Sequence, residues 1–108
     1  MYASYVKEKE GFETLMTEHG FAAYHINKIA KILDIGDFYI KPESRNGFKS
    51  TKLFNEVVDL AKKNECKKIT CCVETYLQKP EASMYVVLRN KFKFSHINDG
   101  VIYFYKNI

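Results

Sequence analysis

Apolar residues change their spacing near the middle of the chain. Between Phe12 and Ile40 they fall in short, roughly alternating runs, the pattern of half-buried strands. In Phe12–Thr17, residues Phe12, Thr14 and Met16 share one face, and Glu18-His19-Gly20 reads as a turn in which Gly20 takes positive φ. Phe21–Ile26 forms the next strand and Asn27-Lys28 the next turn. Ile29–Ile40 is a longer strand, bulged at Gly36. A short strand around Tyr2–Val6, or an ordered arm, precedes them. From Ser50 to Asn64 the spacing lengthens: Leu53, Phe54, Val57, Leu60 and Ala61 make an amphipathic helix. Lys62 and Lys63 suit its negative end, and Asn64 is placed as a left-handed cap.

Beyond this helix, residues 67–73 show little polar alternation, as expected of a strand covered on both faces. The intervening helix makes that strand parallel to the one ending at Ile40, by a right-handed crossover. Residues 74–79 are a loop. Pro80 begins a second helix carrying Met84, Tyr85, Val87 and Leu88. Phe92–Ile97 and Val101–Tyr105 are strands joined at Asn98-Asp99-Gly100. The expected fold is α/β (α+β): one domain over residues 1–108, with a mixed, mostly antiparallel sheet, a parallel pair inside it and two helices.

The strand ending at Ile40, the polar loop 43–47 and the following helix form an order that can bind an anion. Amide N–H groups and the positive end of the helix dipole face such a loop. A phosphate-bearing cofactor fits it, and so does a connector with no ligand.

Charge sharpens the picture a little. The net charge of +4 divides into −2 over residues 1–44 and +6 over residues 45–108, which suits an anionic ligand and equally a weak nucleic-acid surface. Lys62, Lys63, Lys67 and Lys68 are the densest basic cluster, read first as a capped, solvated helix end and only second as a contact for nucleic acid or another acidic partner. With 8 Tyr, 8 Phe and no Trp, aromatic side chains should dominate the core. The 3 cysteines, Cys66, Cys71 and Cys72, form no paired framework, which points to a reducing, cytoplasmic setting and buried, inert thiols. Cys71 and Cys72 should face opposite sides of the sheet. His19, His25 and His96 have no metal-ligand spacing, and no signal peptide or membrane-length apolar run occurs.

Several short motifs occur together in a familiar order. Gly20-Phe21-Ala22-Ala23-Tyr24-His25-Ile26 matches a GF-x-x-Y-x-I strand, Asp37-Phe38-Tyr39-Ile40 matches a D-x-Y-[VI] strand, and Arg45 follows in the loop. In these features, from about Glu10 to Lys106, the chain resembles the GCN5-related N-acetyltransferases, in particular small phage-encoded ones. The resemblance implies acetyl-CoA in a cleft between two splayed parallel strands, those ending at Ile40 and Val73. The backbone of Phe38, Tyr39 and Ile40 would pair with the pantetheine arm. The pyrophosphate would lie on Arg45, Asn46, Gly47, Phe48, Lys49, Ser50 and Thr51. Asp37 is the candidate general base toward an amine acceptor.

The chain departs from that family in four ways. Phe48 and Ser50 stand where the loop has small residues. Val87 stands where a general-acid tyrosine is usual, with Tyr85 offset by two positions and expected in the core. No Gly precedes Phe92. The early helices that wall the acceptor side have no room at the start of the sequence. The alternative reading is therefore an inactive copy of the fold, serving as a phage structural, virion or interaction protein. The aromatic last strand, Tyr103-Phe104-Tyr105, would then offer an edge for a homo-oligomer or a phage-particle assembly.

Overall fold

The computed structural model describes residues 12–41, 49–76 and 80–108. The expected strand around Tyr2–Val6 and the loop residues Arg45, Asn46, Gly47 and Phe48 lie outside them. Six strands form one sheet: β1 (Glu13–Thr17), β2 (Gly20–Asn27), β3 (Ile32–Ile40), β4 (Lys68–Glu74), β5 (Lys93–Asn98) and β6 (Val101–Asn107). Helix α1 (Lys49–Lys63) joins β3 to β4, and α2 (Pro80–Arg89) joins β4 to β5. The spatial order is β1-β2-β3-β4-β6-β5, and only the β3–β4 pair is parallel. The mixed sheet, the parallel pair and the two helices expected from the hydrophobic pattern are present, but the aromatic last strand offers no edge, because β6 lies between β4 and β5.

Register explains how one face becomes the core. Ala23 pairs with Asp37 and Tyr24 with Ile35, so Gly36 is the extra residue of a bulge in β3. A Cβ on Gly36 would stand 2.7 Å from the Phe12 ring, which lies across the bulge. The extra residue shifts the alternation of the strand. Leu33 and Ile35 before it, and Phe38 and Ile40 after it, all face the helices. Asp34 and Asp37, three residues apart, share the opposite face. Without the bulge both sets would be split between faces.

Both helices pack on the first face. Phe54, Val57 and Ala61 of α1 and Val87 of α2 meet Ala22, Leu33, Ile35, Ile69, Cys71, Val73, Phe92 and Phe104 in one buried cluster. The buried stripe of α2 is narrower than expected. Tyr85 is 65% exposed and is not a core residue, and Leu88 is half exposed, because positions 84 and 87 take the sheet-facing side of this short helix.

Helix ends and turns differ from expectation in instructive ways. The left-handed residue after α1 is Glu65 (φ 62), not Asn64. The Cys66 N–H donates to the Ala61 carbonyl and the Glu65 N–H to the Lys62 carbonyl, while Asn64 Nδ2 donates to the Leu60 carbonyl at 2.9 Å. Helix α2 repeats this arrangement with Lys91 (φ 71) in the left-handed position and Asn90 Nδ2 on the Val86 carbonyl at 2.8 Å. The third strand begins at Ile32, three residues late, because Asn27 Oδ1 accepts the N–H groups of Ile29 and Ala30 and holds residues 28–31 in a turn. The last hairpin turns through Asp99 (φ 49) and Gly100 (φ 76), as its sequence implies.

Gly20 is required for space and not for positive φ. It is a strand residue paired with Ile40, and an added Cβ would stand 1.9 Å from the Tyr39 carbonyl oxygen. The obstacle is backbone, so it cannot rotate away. Gly20→Ala is expected to lower stability by about 1–3 kcal/mol, as overpacked sites do. Chemical denaturation measures this directly, and an unchanged midpoint would mean that the two strands are spaced more widely than described.

Candidate functional site

The parallel pairing of β3 and β4 is brief. It covers Ile32↔Lys68, Leu33↔Ile69 and Asp34↔Thr70, and stops there. Beyond that point β3 continues to Ile40 beside β2, and β4 continues to Glu74 beside β6. The two strands therefore part company in the middle of the sheet and leave a V-shaped opening. Its base is tied by the Thr70 hydroxyl, which donates to Asp34 Oδ1 at 2.7 Å.

Expected site residues fall around this opening. Phe38, Tyr39 and Ile40 form the free-running half of β3 past the base of the V. The Phe38 ring stacks on Phe54 of α1 (centroids 4.1 Å apart) on the helix side, and Tyr39 packs against Phe21 on the other. Lys49, Ser50 and Thr51 make the first turn of α1, which contains no acidic residue. The amide end of that helix is thus compatible with an anion. Asp37 sits on the exposed face beside the bulge, and its Oδ1 accepts the Phe38 N–H at 2.9 Å.

A second group on the same face escaped the sequence reading. Thr70, Cys72 and Glu74 alternate along β4 on the side that carries Asp34. The neighbouring Glu74 carboxylate raises the Tyr76 phenol above its ordinary value. Cys72 is exposed, contrary to expectation. Its thiol is raised by partial burial and then by the carboxylates of Glu74 and Asp34. Cys71, on the core side, is pushed up to about 12, chiefly by burial. It is an inert thiol, as expected. Tyr103 of β6 stacks on His96 of β5 (centroids 4.5 Å apart) on the same face as Cys72. The sequence signal for this group was the period-two spacing of residues 70, 72 and 74, which becomes meaningful only once the register places it beside Asp34.

No family model matches the sequence, and no curated protein does. Solved structures do match. A Desulfovibrio desulfuricans protein assigned to the GNAT family of acetyltransferases superposes with a TM-score of 0.79 at 11% identity, over 98% of this chain and 77% of its own. The chain has the fold of the GCN5-related N-acetyltransferases (GNAT). The PaiA N-acetyltransferase of Thermoplasma acidophilum, solved with coenzyme A, superposes with a TM-score of 0.75 at 17% identity over 95% of this chain. An acyl-CoA N-acyltransferase assigned in Klebsiella pneumoniae gives 0.69 at 15% identity over 82%. The chain spans 66% of the former and 63% of the latter. Among the described residues no helix is long and apolar enough to cross a membrane.

Proposed function

We propose that this chain is an acetyl-CoA-dependent N-acetyltransferase acting on an amine. The observation that carries the reading is the parting of β3 and β4 after Asp34↔Thr70, directly before the strand–loop–helix connection into α1. An extended, amide-bearing pantetheine chain can lie along β3 at Phe38–Ile40 as an added strand would. The amides at the start of α1, with Arg45, Asn46, Gly47 and Phe48 of the preceding loop, would hold the phosphates. The residues present fit such a ligand, because no carboxylate opposes phosphate in the first turn of α1.

Bound acetyl-CoA supplies the thioester. The chain's own contribution is position and proton transfer. The amine would approach from the face carrying Asp34, Asp37 and Glu74, where Asp37 would take its proton as the acetyl group passes from sulfur to nitrogen, and solvent would protonate the sulfur left behind.

Calorimetric titration with acetyl-CoA and with CoA tests this reading. Saturable heat and an upward shift in melting temperature are expected for both ligands. Neither effect at millimolar ligand would leave the fold without this activity and favour the non-catalytic alternative.

A further inference from the structure

The end of the molecule opposite the proposed cofactor cleft is a lysine pole. Helix α1 begins at the open end of the V and finishes at the other, about 22 Å away for 15 residues at 1.5 Å each. At that far end, Lys62 and Lys63 close α1, Lys31 precedes β3, and Lys67 and Lys68 open β4. Lys31, Lys62 and Lys67 line an open recess of about 480 Å³ with Glu65, Cys66 and Ile108. The recess is built by backbone: the Lys67 N–H donates to the Lys31 carbonyl at 2.7 Å, and the Ile108 N–H donates to the Lys67 carbonyl at 3.0 Å.

Two more lysines join from behind. Lys106 near the end of β6 is half-buried and donates to the Asn90 carbonyl at 3.0 Å. Its pKa is lowered by burial and then by the nearby charges of Lys62 and Lys91, so the group is crowded with like charge. Among the described residues, no carboxylate forms an ion pair with any of these lysines. Among the described residues, Glu65 is the one acidic side chain that lines the recess. Such crowding opposes folding slightly and is relieved by a polyanion.

We infer that this pole binds the phosphodiester backbone of a nucleic acid, without reading its sequence. Its positive charges come from α1, β4, β6 and the segments just before β3 and after α2, all at one end of the sheet and the helix layer. A nucleic-acid strand carries one charge per roughly 3.4 Å of axis, so several phosphates meet the pole together. All the cations are lysines, point charges that suit phosphate without demanding a fixed fork geometry. Among the described residues, Ile29 on the turn before β3 is the exposed large apolar side chain nearest the pole in sequence, where a protein partner would want a cluster of them. The inference is independent of acetyl transfer, because the two sites lie at opposite ends of α1.

Fluorescence anisotropy with a labelled mixed-sequence DNA oligonucleotide, single-stranded and duplex, tests it. Micromolar binding at low salt is expected, weakening with a log–log slope of about −3 for some four phosphate contacts. The double variant Lys62→Glu, Lys67→Glu should lose about tenfold or more in affinity while keeping a cooperative melting transition, since each lysine is placed to contact phosphate. The double Lys→Arg variant at these positions should bind as the unaltered protein does. No binding at low salt would overturn the inference, as would binding indifferent to charge reversal. Equal capture by polyglutamate or by anionic phospholipid vesicles would also overturn it, since the partner would then be an acidic protein or a membrane surface. Acetyl-CoA titration of the charge-reversed variant distinguishes this outcome from failure of the enzymatic reading.

Discussion

Phe54→Ala is expected to cost about 3–5 kcal/mol, a large part of the stability of a domain this small. Phe54 is 3% exposed. It stacks on Phe38 at 4.1 Å and meets Phe92 edge-on at 5.5 Å, so one ring joins α1, the free-running half of β3 and the segment before β5. Removing it loses the transfer free energy of the ring, two aromatic pairings and the packing around the cavity left behind. At about 4–8 °C per kcal/mol, the melting temperature should fall by more than 10 °C. Phe54→Leu keeps much of the volume and should lose roughly half as much. A fall below about 1 kcal/mol for the alanine variant would mean that α1 is held mainly by Leu53, Val57 and Ala61. The substitution also touches the site, because Phe38 is flanked by Asp37 and Tyr39. Any cofactor affinity that survives in the folded fraction would show how far β3 keeps its course without the stacked ring.

Asp37→Asn should slow acetyl transfer by about 10²–10⁴-fold, the usual contribution of a positioned proton acceptor. Asparagine retains an Oδ1 that can accept the Phe38 N–H, so the local backbone is preserved while basicity is removed. Cofactor affinity should therefore remain close to that of the unaltered protein, and the loss should fall on turnover. Unaltered turnover would sink the role of Asp37. The informative control is Asp34→Asn. Asp34 accepts the Thr70 hydroxyl at the base of the V and is expected to support the opening without taking the proton. If Asp34→Asn abolished transfer while Asp37→Asn spared it, the proton acceptor would lie one step deeper, on the same face.

That choice between two carboxylates illustrates what could be seen in advance. Asp37 stood out because it belongs to a recognisable strand motif. Asp34 did not, because three residues of separation in an ordinary strand place two side chains on opposite faces. The Gly36 bulge reverses this. Its presence could be expected from the sequence, but its consequence for facing required the partner register of β2. Thr70, Glu74 and Tyr76 were missed for a related reason. Thr70 becomes a neighbour of Asp34 only through pairing across 36 residues of chain, as their hydrogen bond records, and Glu74 follows on the same face of β4.

By itself the sequence determined the order of elements, the bulge, the last hairpin and the parallel crossover. These follow from local periodicity, turn chemistry and the handedness of a strand–helix–strand unit, which are properties of neighbouring residues. Tertiary structure decided the rest. It exposed Tyr85 and Cys72 by choosing which stripe of a short helix and which face of a strand meet the core. It gathered lysines from distant segments at one pole, and it ended the β3–β4 pairing at Asp34 to open the cleft. Long-range register and packing fix these features, and neither is encoded in any single window of the chain.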